Sequence, residues 1–427
     1  MTTIVLADCN AFRDISPGVA DFVFARHRTG AVLMSVAEAS NYDMTLVIEQ
    51  RGAESEDDVK RLMDEIVRGG KPAAAWLDPR KPLPLAAQAQ RMMYEAHRTK
   101  GRMRQKLARR ALKLWPDCAD AYLFLAEDEE SAAAIALLQE GLAAGERAIK
   151  SEYEAEAVER VLRQAALSEP LRDDKPLDED EAEAVEEEHG IGFWSDTVTR
   201  PYLRVRAELA ATLWGNGQSD EALGHLRALL RLCPRDYQGN RYLFAGYLMQ
   251  SLGRFSVLPD KSRKLADLLN IDTVLDEADA LAELDALLVR YDMDKSAHWQ
   301  YTRAWWLFKS GDRTRANEAL QEAFDANRFF PAMMTGLEKP EPEIDLEKLV
   351  PGSPDEAMDY FLLALTVWVD EQVTPWLMEN LTQSLTRYAA AEGLDLFAPP
   401  DDDEEDEESP LPPLLQRPLP GRKRPKT

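Results

Sequence analysis

Residues 203–236, LRVRAELAATLWGNGQSDEALGHLRALLRLCPRD, decide the fold of this chain. Leu209, Ala210 and Leu213 form an i, i+1, i+4 apolar seam on one helix. Gly217 breaks that helix, and Ala222, Leu226 and Leu229 make a matching seam on a second. Ala222 is small enough to let two helix backbones approach closely, and Pro234 cannot continue a helix. A helix–turn–helix unit of this kind buries only part of its apolar surface by itself, so it needs neighbours.

The neighbours are legible on both sides. Downstream, Gln238–Leu252 reads as another first helix, followed by Gly253, and Val257-Leu-Pro-Asp260 degrades its second helix. Ala297–Arg328 repeats the pattern with Ala304 and Leu307, then Gly311, then Ala316, Leu320 and Ala323. Arg328 stands where a closing proline belongs, and Pro331 comes late. Ser353-Pro-Asp-Glu356 has the spacing of a capping box, ahead of Met358, Phe361, Leu362 and Leu365, with a second helix after Thr374-Pro375. Upstream, Ala108, Ala111, Leu112 and Leu114 end a helix at Pro116, and Tyr122, Leu125 and Ala126 open the next. Ala132–Ile149 follows after a short turn at Glu127–Ser131. A spacing near ~34 residues is the tetratricopeptide period. The expected fold is therefore mainly α: an irregular tetratricopeptide-type α-solenoid over 85–396, interrupted by an acidic insertion at about 169–190.

The two ends differ in texture. In 1–84 the runs Thr3–Leu6, Ala31–Val36, Met44–Ile48 and Ala73–Leu77 read as strands around one helix. That helix starts at the acids Glu54 and Glu56–Asp58, carries Val59, Leu62, Met63 and Ile66 as its stripe, and stops at Gly69-Gly70. A small α/β module is expected there, with Asp78–Pro84 leading out. Residues 397–427 hold eight consecutive acids (Asp401–Glu408), a proline-rich run (Pro410–Pro420) and the basic Arg422–Lys426. With so few apolar groups to offset chain entropy, this tail is expected to be disordered.

Composition excludes several classes. Of the 427 residues 45% are apolar and 30% charged, which suits a globular chain, and the net charge of −26 repels phosphates and so disfavours nucleic acid. Cys9, Cys118 and Cys233 are scattered, pointing to a reducing compartment. The N-terminal stretch has no basic region before its apolar residues, so it is not read as a signal peptide. The longest apolar run, Phe361–Val369, falls far short of the ~20 residues that span a bilayer. A cytoplasmic protein without membrane contact is expected.

Signs of chemistry are few. His27, His97, His189, His225 and His298 lie far apart, and Glu186 with His189 makes a single E-x-x-H half-motif inside an acidic run. No nucleophile elbow, zinc-protease or phosphate-loop pattern occurs, and Gly190-Ile-Gly192 and Gly215-Asn-Gly217 serve as turns. Neither cofactor nor metal is expected. Asp8 closes an expected strand without companion groups. An enzymatic or regulatory module in 1–84, with the repeats as its targeting arm, is the alternative to a purely non-catalytic chain.

The favoured function is a protein–protein interaction scaffold that holds a partner protein or peptide in the repeat groove. Counted from the first position of each unit, the groove face offers Arg204, Arg241, Tyr242, His298, Tyr301 and Trp305. Aromatic and arginine side chains are the usual interface anchors, and Tyr242, Tyr301 and Trp305 also fit the core between repeats. No recurring lysine–asparagine pattern marks a clamp for a partner's C-terminal carboxylate. A basic strip (Arg98, Lys100, Arg102, Arg104, Lys106, Arg109, Arg110 and Lys113) runs without any acid from Ala96 to Pro116. It reads as a solvated helix face, as a resting place for the chain's own acidic segments, or as a binding strip for an acidic partner or nucleic acid. Interleaved aromatics for base stacking are missing.

From about Leu107 to Gly336 the chain resembles the bacterial tetratricopeptide proteins related to the suppressor-of-tumorigenicity-seven group. The stretches that carry the resemblance are Ala111-Leu-Lys-Leu-Trp-Pro-Asp-Cys-Ala-Asp-Ala-Tyr122, Gly141-Leu-Ala-Ala-Gly-Glu-Arg-Ala148, Thr199-Arg-Pro-Tyr-Leu-Arg-Val-Arg206 and Leu232-Cys-Pro-Arg-Asp-Tyr-Gln-Gly-Asn-Arg-Tyr-Leu243. The resemblance implies a repeat scaffold and carries no catalytic residues. It leaves 1–85 and the tail uncovered.

Overall fold

The computed structural model describes residues 36–53, 55–167, 169–172, 175–178, 180, 182–185, 190–252, 277–335 and 349–392. Among these every regular element is helical and no strand occurs. They divide into two compact units, one with Leu177–Asn240 and everything described up to Glu169, the other with Pro170–Pro176 and everything from Arg241. No described helix is long and apolar enough to cross a membrane.

The first unit opens with α1 (Val36–Arg51), α2 (Glu56–Gly69) and a 3-10 turn at Ala73–Trp76. This corrects the strand expectations that fall within 36–84, so the α/β module is not supported there. Met44–Ile48 lies within α1 and Ala73–Leu77 forms the 3-10 turn, while Thr3–Leu6 and nearly all of Ala31–Val36 lie outside the described residues. The reason is that α1 is apolar on two faces. Val47, with Met44 and Ile48, packs on Leu62 and Ile66 of α2, whereas Tyr42 sits 5.5 Å from the Tyr94 ring. Two apolar faces erase the helical periodicity and leave an apolar run that passes for a strand. The helix expected over 56–69 is α2, with Ser55 capping Asp58 N–H and Gly70 in the left-handed region. Met63, expected on its buried stripe, is exposed. Asp78–Pro84 is pinned to α1: Gln50 accepts from Asp78 N–H at 2.9 Å and donates to the Lys81 carbonyl at 2.9 Å.

The unit continues through α3 (Leu85–His97), α4 (Arg102–Leu114), α5 (Ala119–Ala126), α6 (Ser131–Glu152) and α7 (Ala155–Ala165). It closes with α8 (Arg200–Gly215) and α9 (Ser219–Leu232). From α3 to α7 each packs on the next in sequence, α7 also packs on α9, and α8 lies against α5, α6 and α9. The helix pair read from 203–236 is the α8–α9 hairpin, its turn made by Gly217 at φ 76°, which glycine adopts without strain. The Thr-Arg-Pro-Tyr sequence builds the start of α8. The buried Thr199 hydroxyl bonds the Phe193 and Asp196 carbonyls at 2.6 and 2.8 Å, Arg200 donates to the Trp194 carbonyl at 2.7 Å, and Pro201 occupies the first turn.

Every residue of α8 from Pro201 to Trp214 is buried. Two glycines make that possible. A Cβ on Gly145 of α6 would lie 3.1 Å from the Tyr202 Cα, and one on Gly141 would lie 2.8 Å from the Tyr122 Cβ of α5 and 3.3 Å from the Val205 Cγ1 of α8. Gly224 on α9, by contrast, faces open space. Gly145→Ala is expected to destabilise the chain by about 1–3 kcal/mol through overpacking. Gly224→Ala should stabilise it by about 0.5–1 kcal/mol, the usual gain in a helix interior. Urea unfolding midpoints check both, and a gain from Gly145→Ala would refute the close approach of α6 and α8.

The second unit holds α10 (Asn240–Leu252, from its second residue), α11 (Glu277–Arg290), α12 (Ala297–Lys309), α13 (Arg313–Ala326), α14 (Phe329–Met334), α15 (Pro354–Trp368) and α16 (Val373–Glu392). The helix pair α12–α13 turns at Gly311, φ 89°, as its spacing predicts. The capping box at Ser353 is half formed: its hydroxyl accepts from Glu356 N–H at 3.1 Å. The Glu356 carboxylate instead takes the N–H groups of Gly352 and Ala297 and the Asn327 amide, at 2.6, 2.8 and 3.0 Å. A residue expected to cap one helix thereby ties three segments together. Of the acidic insertion, Leu171 is buried in this unit and donates its N–H to Glu283 at 2.8 Å. The degraded second helix after Gly253 and the 397–427 tail lie outside the described residues.

Candidate functional site

Five of the six residues expected along the groove fall in the second unit and one in the first. Arg204 on α8 is fully buried and forms a fork on Asp120 of α5, at 2.9 Å (Nε–Oδ1) and 2.7 Å (Nη2–Oδ2). Its remaining nitrogen reaches Glu38 of α1 at 2.8 Å. Gln90 completes Asp120 at 2.7 Å and the Tyr94 hydroxyl completes Glu38 at 3.0 Å, with Arg200 at 3.6 Å. Burial opposes the guanidinium charge, and the two carboxylates outweigh it, so its pKa rises. A buried charge is tolerated only when paired and hydrogen-bonded, and here each member is. Arg204 therefore belongs to the core.

In the second unit, Arg241 and Tyr242 come together on Asp294, with His298 against the Tyr242 ring. Arg241 Nε and the Tyr242 hydroxyl each donate to one Asp294 oxygen at 2.8 Å, and Ser296 N–H donates to the other at 2.8 Å. Burial would raise the Asp294 carboxyl, but Arg241 and Ser296 outweigh it and the pKa falls. His298 stands 4.8 Å from the Tyr242 ring and 2.8 Å from Asp359. Tyr301 and Trp305 are placed deeper, at 0% and 1% exposure, and the Tyr301 ring lies among Phe330, Tyr360 and Trp368. The Tyr301 hydroxyl donates to the Asn327 carbonyl at 2.6 Å and Trp305 Nε1 to the Val367 carbonyl at 3.2 Å. These two side chains are inter-helix core, because α12 has α13 and α15 packed against it.

The basic strip divides cleanly. Arg104 turns inward, forks onto Glu127 at 2.8 Å from both oxygens, and satisfies the Thr99, Ala96 and His97 carbonyls at the end of α3. It is a helix cap in function. The other seven, Arg98, Lys100, Arg102, Lys106, Arg109, Arg110 and Lys113, are exposed, and none has an ion-pair partner among the described residues. On α4 the opposite face is the packed one: Leu107, Ala108 and Ala111 are buried and Gln105 donates to the Phe124 carbonyl at 2.7 Å. The exposed five stand at 102, 106, 109, 110 and 113, one continuous helix face. Their placement costs stability. Cations crowd the helix N-terminus with no acid in the first turn, and three i, i+4 like-charge pairs (102/106, 106/110, 109/113) each cost roughly 0.2–0.5 kcal/mol.

A second surface feature gave no signal in the sequence. Trp194 stacks on Tyr237 at 5.5 Å and 19°, and the Arg200 guanidinium covers Trp194 at 4.7 Å. Tyr237 is 52% exposed. Residues 194 and 237 share no local pattern, so only the chain path from α8 to the corner after α9 joins them.

No cluster of three or more His, Cys, Asp or Glu side chains able to hold a metal occurs among the described residues. Glu186, His189 and Asp8 lie outside them. Burial, with Arg206 nearby, pushes the His225 imidazole down to about 3. Cys118 and Cys233 are buried thiols without a disulfide, and burial raises Cys118. No protein-family model, curated protein or solved structure matches the chain.

Proposed function

We propose that the chain is a non-catalytic scaffold of irregular tetratricopeptide type that holds a segment of another protein against its helix pairs. The observation that carries this reading is the covering of α8 by α5 and α6 as well as α9. Nearest-neighbour stacking of antiparallel pairs is how a repeat array buries its apolar surface. The likeness of 107–336 to bacterial relatives of the suppressor-of-tumorigenicity-seven group supports the same assignment, and a cytoplasmic location accords with buried, unlinked thiols.

The surface best suited to a partner is the Trp194–Tyr237 stack with Arg200. Large aromatic and arginine groups dominate interface energies, and the rings lose little entropy on binding. The groove residues of the second unit contribute by holding the helices in place. Affinity capture from native lysate, comparing the natural chain with a Trp194→Ala/Tyr237→Ala variant of unchanged circular dichroism, tests the reading. The expected result is a captured protein lost from the variant. Equal capture by both sinks this surface as the binding face.

A further inference from the structure

We infer that the solvent face of α4 is a docking face for a short run of consecutive carboxylates on a peptide. The inference rests on the scaffold reading but concerns a different face, and names the chemistry of what binds there.

Three observations carry it. The first is the face itself: Arg102, Lys106, Arg109, Arg110 and Lys113 are exposed in one stripe, and none is neutralised by an ion pair among the described residues. In a chain of net charge −26, a stretch from Ala96 to Pro116 with no acid is a local reversal of sign. The second is that the stripe works against its own helix, through like-charge pairs and cations at the N-terminus. Local rules broken without a gain in packing are expected where a surface serves something outside the fold. Arg104 supplies the contrast, since the one cation that folding uses is turned inward onto Glu127.

The third observation is register. One-turn neighbours on a helix, i and i+4, are about 6 Å apart along the axis. Alternate residues of an extended chain, which face the same way, are about 6.6 Å apart. An extended acidic run therefore presents carboxylates at nearly the spacing of the stripe. From residue 102 to 113 the face is about 16 Å long, the reach of about five extended residues. A short acidic segment fits this length, and a long polyanion would extend onto a chain that is acidic elsewhere. Nucleic acid fits less well on a second count: residues 98–114 contain no Phe, Tyr or Trp on which a base could stack.

The test is fluorescence anisotropy with a labelled peptide carrying an eight-acid run of the composition found at Asp401–Glu408. It is run on the full natural chain and on a full chain with each acid of 401–408 changed to Ser, so that the chain's own run cannot compete. The expected result is binding by at least the second, weakening steeply from about 50 to about 200 mM salt. Lys106→Ser/Arg109→Ser/Arg110→Ser should weaken it roughly tenfold or more. The charge-matched control Lys60→Ser/Arg68→Ser/Lys71→Ser on and after α2 should change it less than about twofold. The inference is overturned if neither chain binds the peptide, or if the control weakens binding as much as the α4 variant. It is equally overturned if a short DNA duplex binds more tightly than the peptide through the same three residues. Peptide binding that persists in the Trp194/Tyr237 variant separates this face from the one proposed above.

Discussion

Asp120→Ala is expected to lower the unfolding free energy by about 3–5 kcal/mol, the usual consequence of removing one partner from a buried ion pair. Asp120 is fully buried and accepts from two Arg204 nitrogens and from Gln90. Without it the cluster keeps Arg204 and Arg200 against Glu38 alone, an excess positive charge where water cannot reach. The penalty belongs to the orphaned charge, so it should shrink when both partners go. Arg204→Met/Asp120→Leu should be more stable than either single change, because an apolar pair of similar volume needs no solvation. Urea denaturation followed by circular dichroism measures all four chains. A loss below about 1 kcal/mol for Asp120→Ala would mean that the cluster is hydrated.

Trp305→Ala is expected to cost about 3–5 kcal/mol by opening a cavity in the second unit. The indole is 1% exposed and donates to the Val367 carbonyl, so truncation loses packing and strands an acceptor. Trp305→Phe, which keeps most of the volume, should cost distinctly less. The same change separates the two readings that the sequence left open at this position. A groove anchor would leave stability within about 0.5 kcal/mol and abolish partner binding. A core residue lowers the melting temperature first. Thermal unfolding of Trp305→Ala beside Tyr237→Ala, which removes an exposed ring, draws the contrast.

Much of the local structure was legible because its causes are local. A left-handed residue needs glycine, so Gly217 and Gly311 marked their turns, and Ser353 marked a helix start by its hydroxyl. The apolar seams at 209–229 and 304–323 placed two helix pairs. Local reasoning failed at α1, whose two apolar faces imitate a strand. At the groove it left two readings open for Tyr301 and Trp305, because what lies against a helix face is set by segments distant in the chain.

What the amino-acid sequence determined alone is thus the α8–α9 and α12–α13 helix pairs, their turns and the acid-free basic stretch, since each depends on residues within one or two helical turns. Tertiary structure alone decided which charges are spent inside the fold. Arg204 finds Asp120 and Glu38 across separations of 84 and 166 residues, and Trp194 finds Tyr237 on the surface. It also decided that Arg104 caps α3 while its neighbours on α4 face water. The physical reason is that burial is a property of neighbours, and the cost of a charge depends on whether those neighbours are water, backbone carbonyls or a carboxylate.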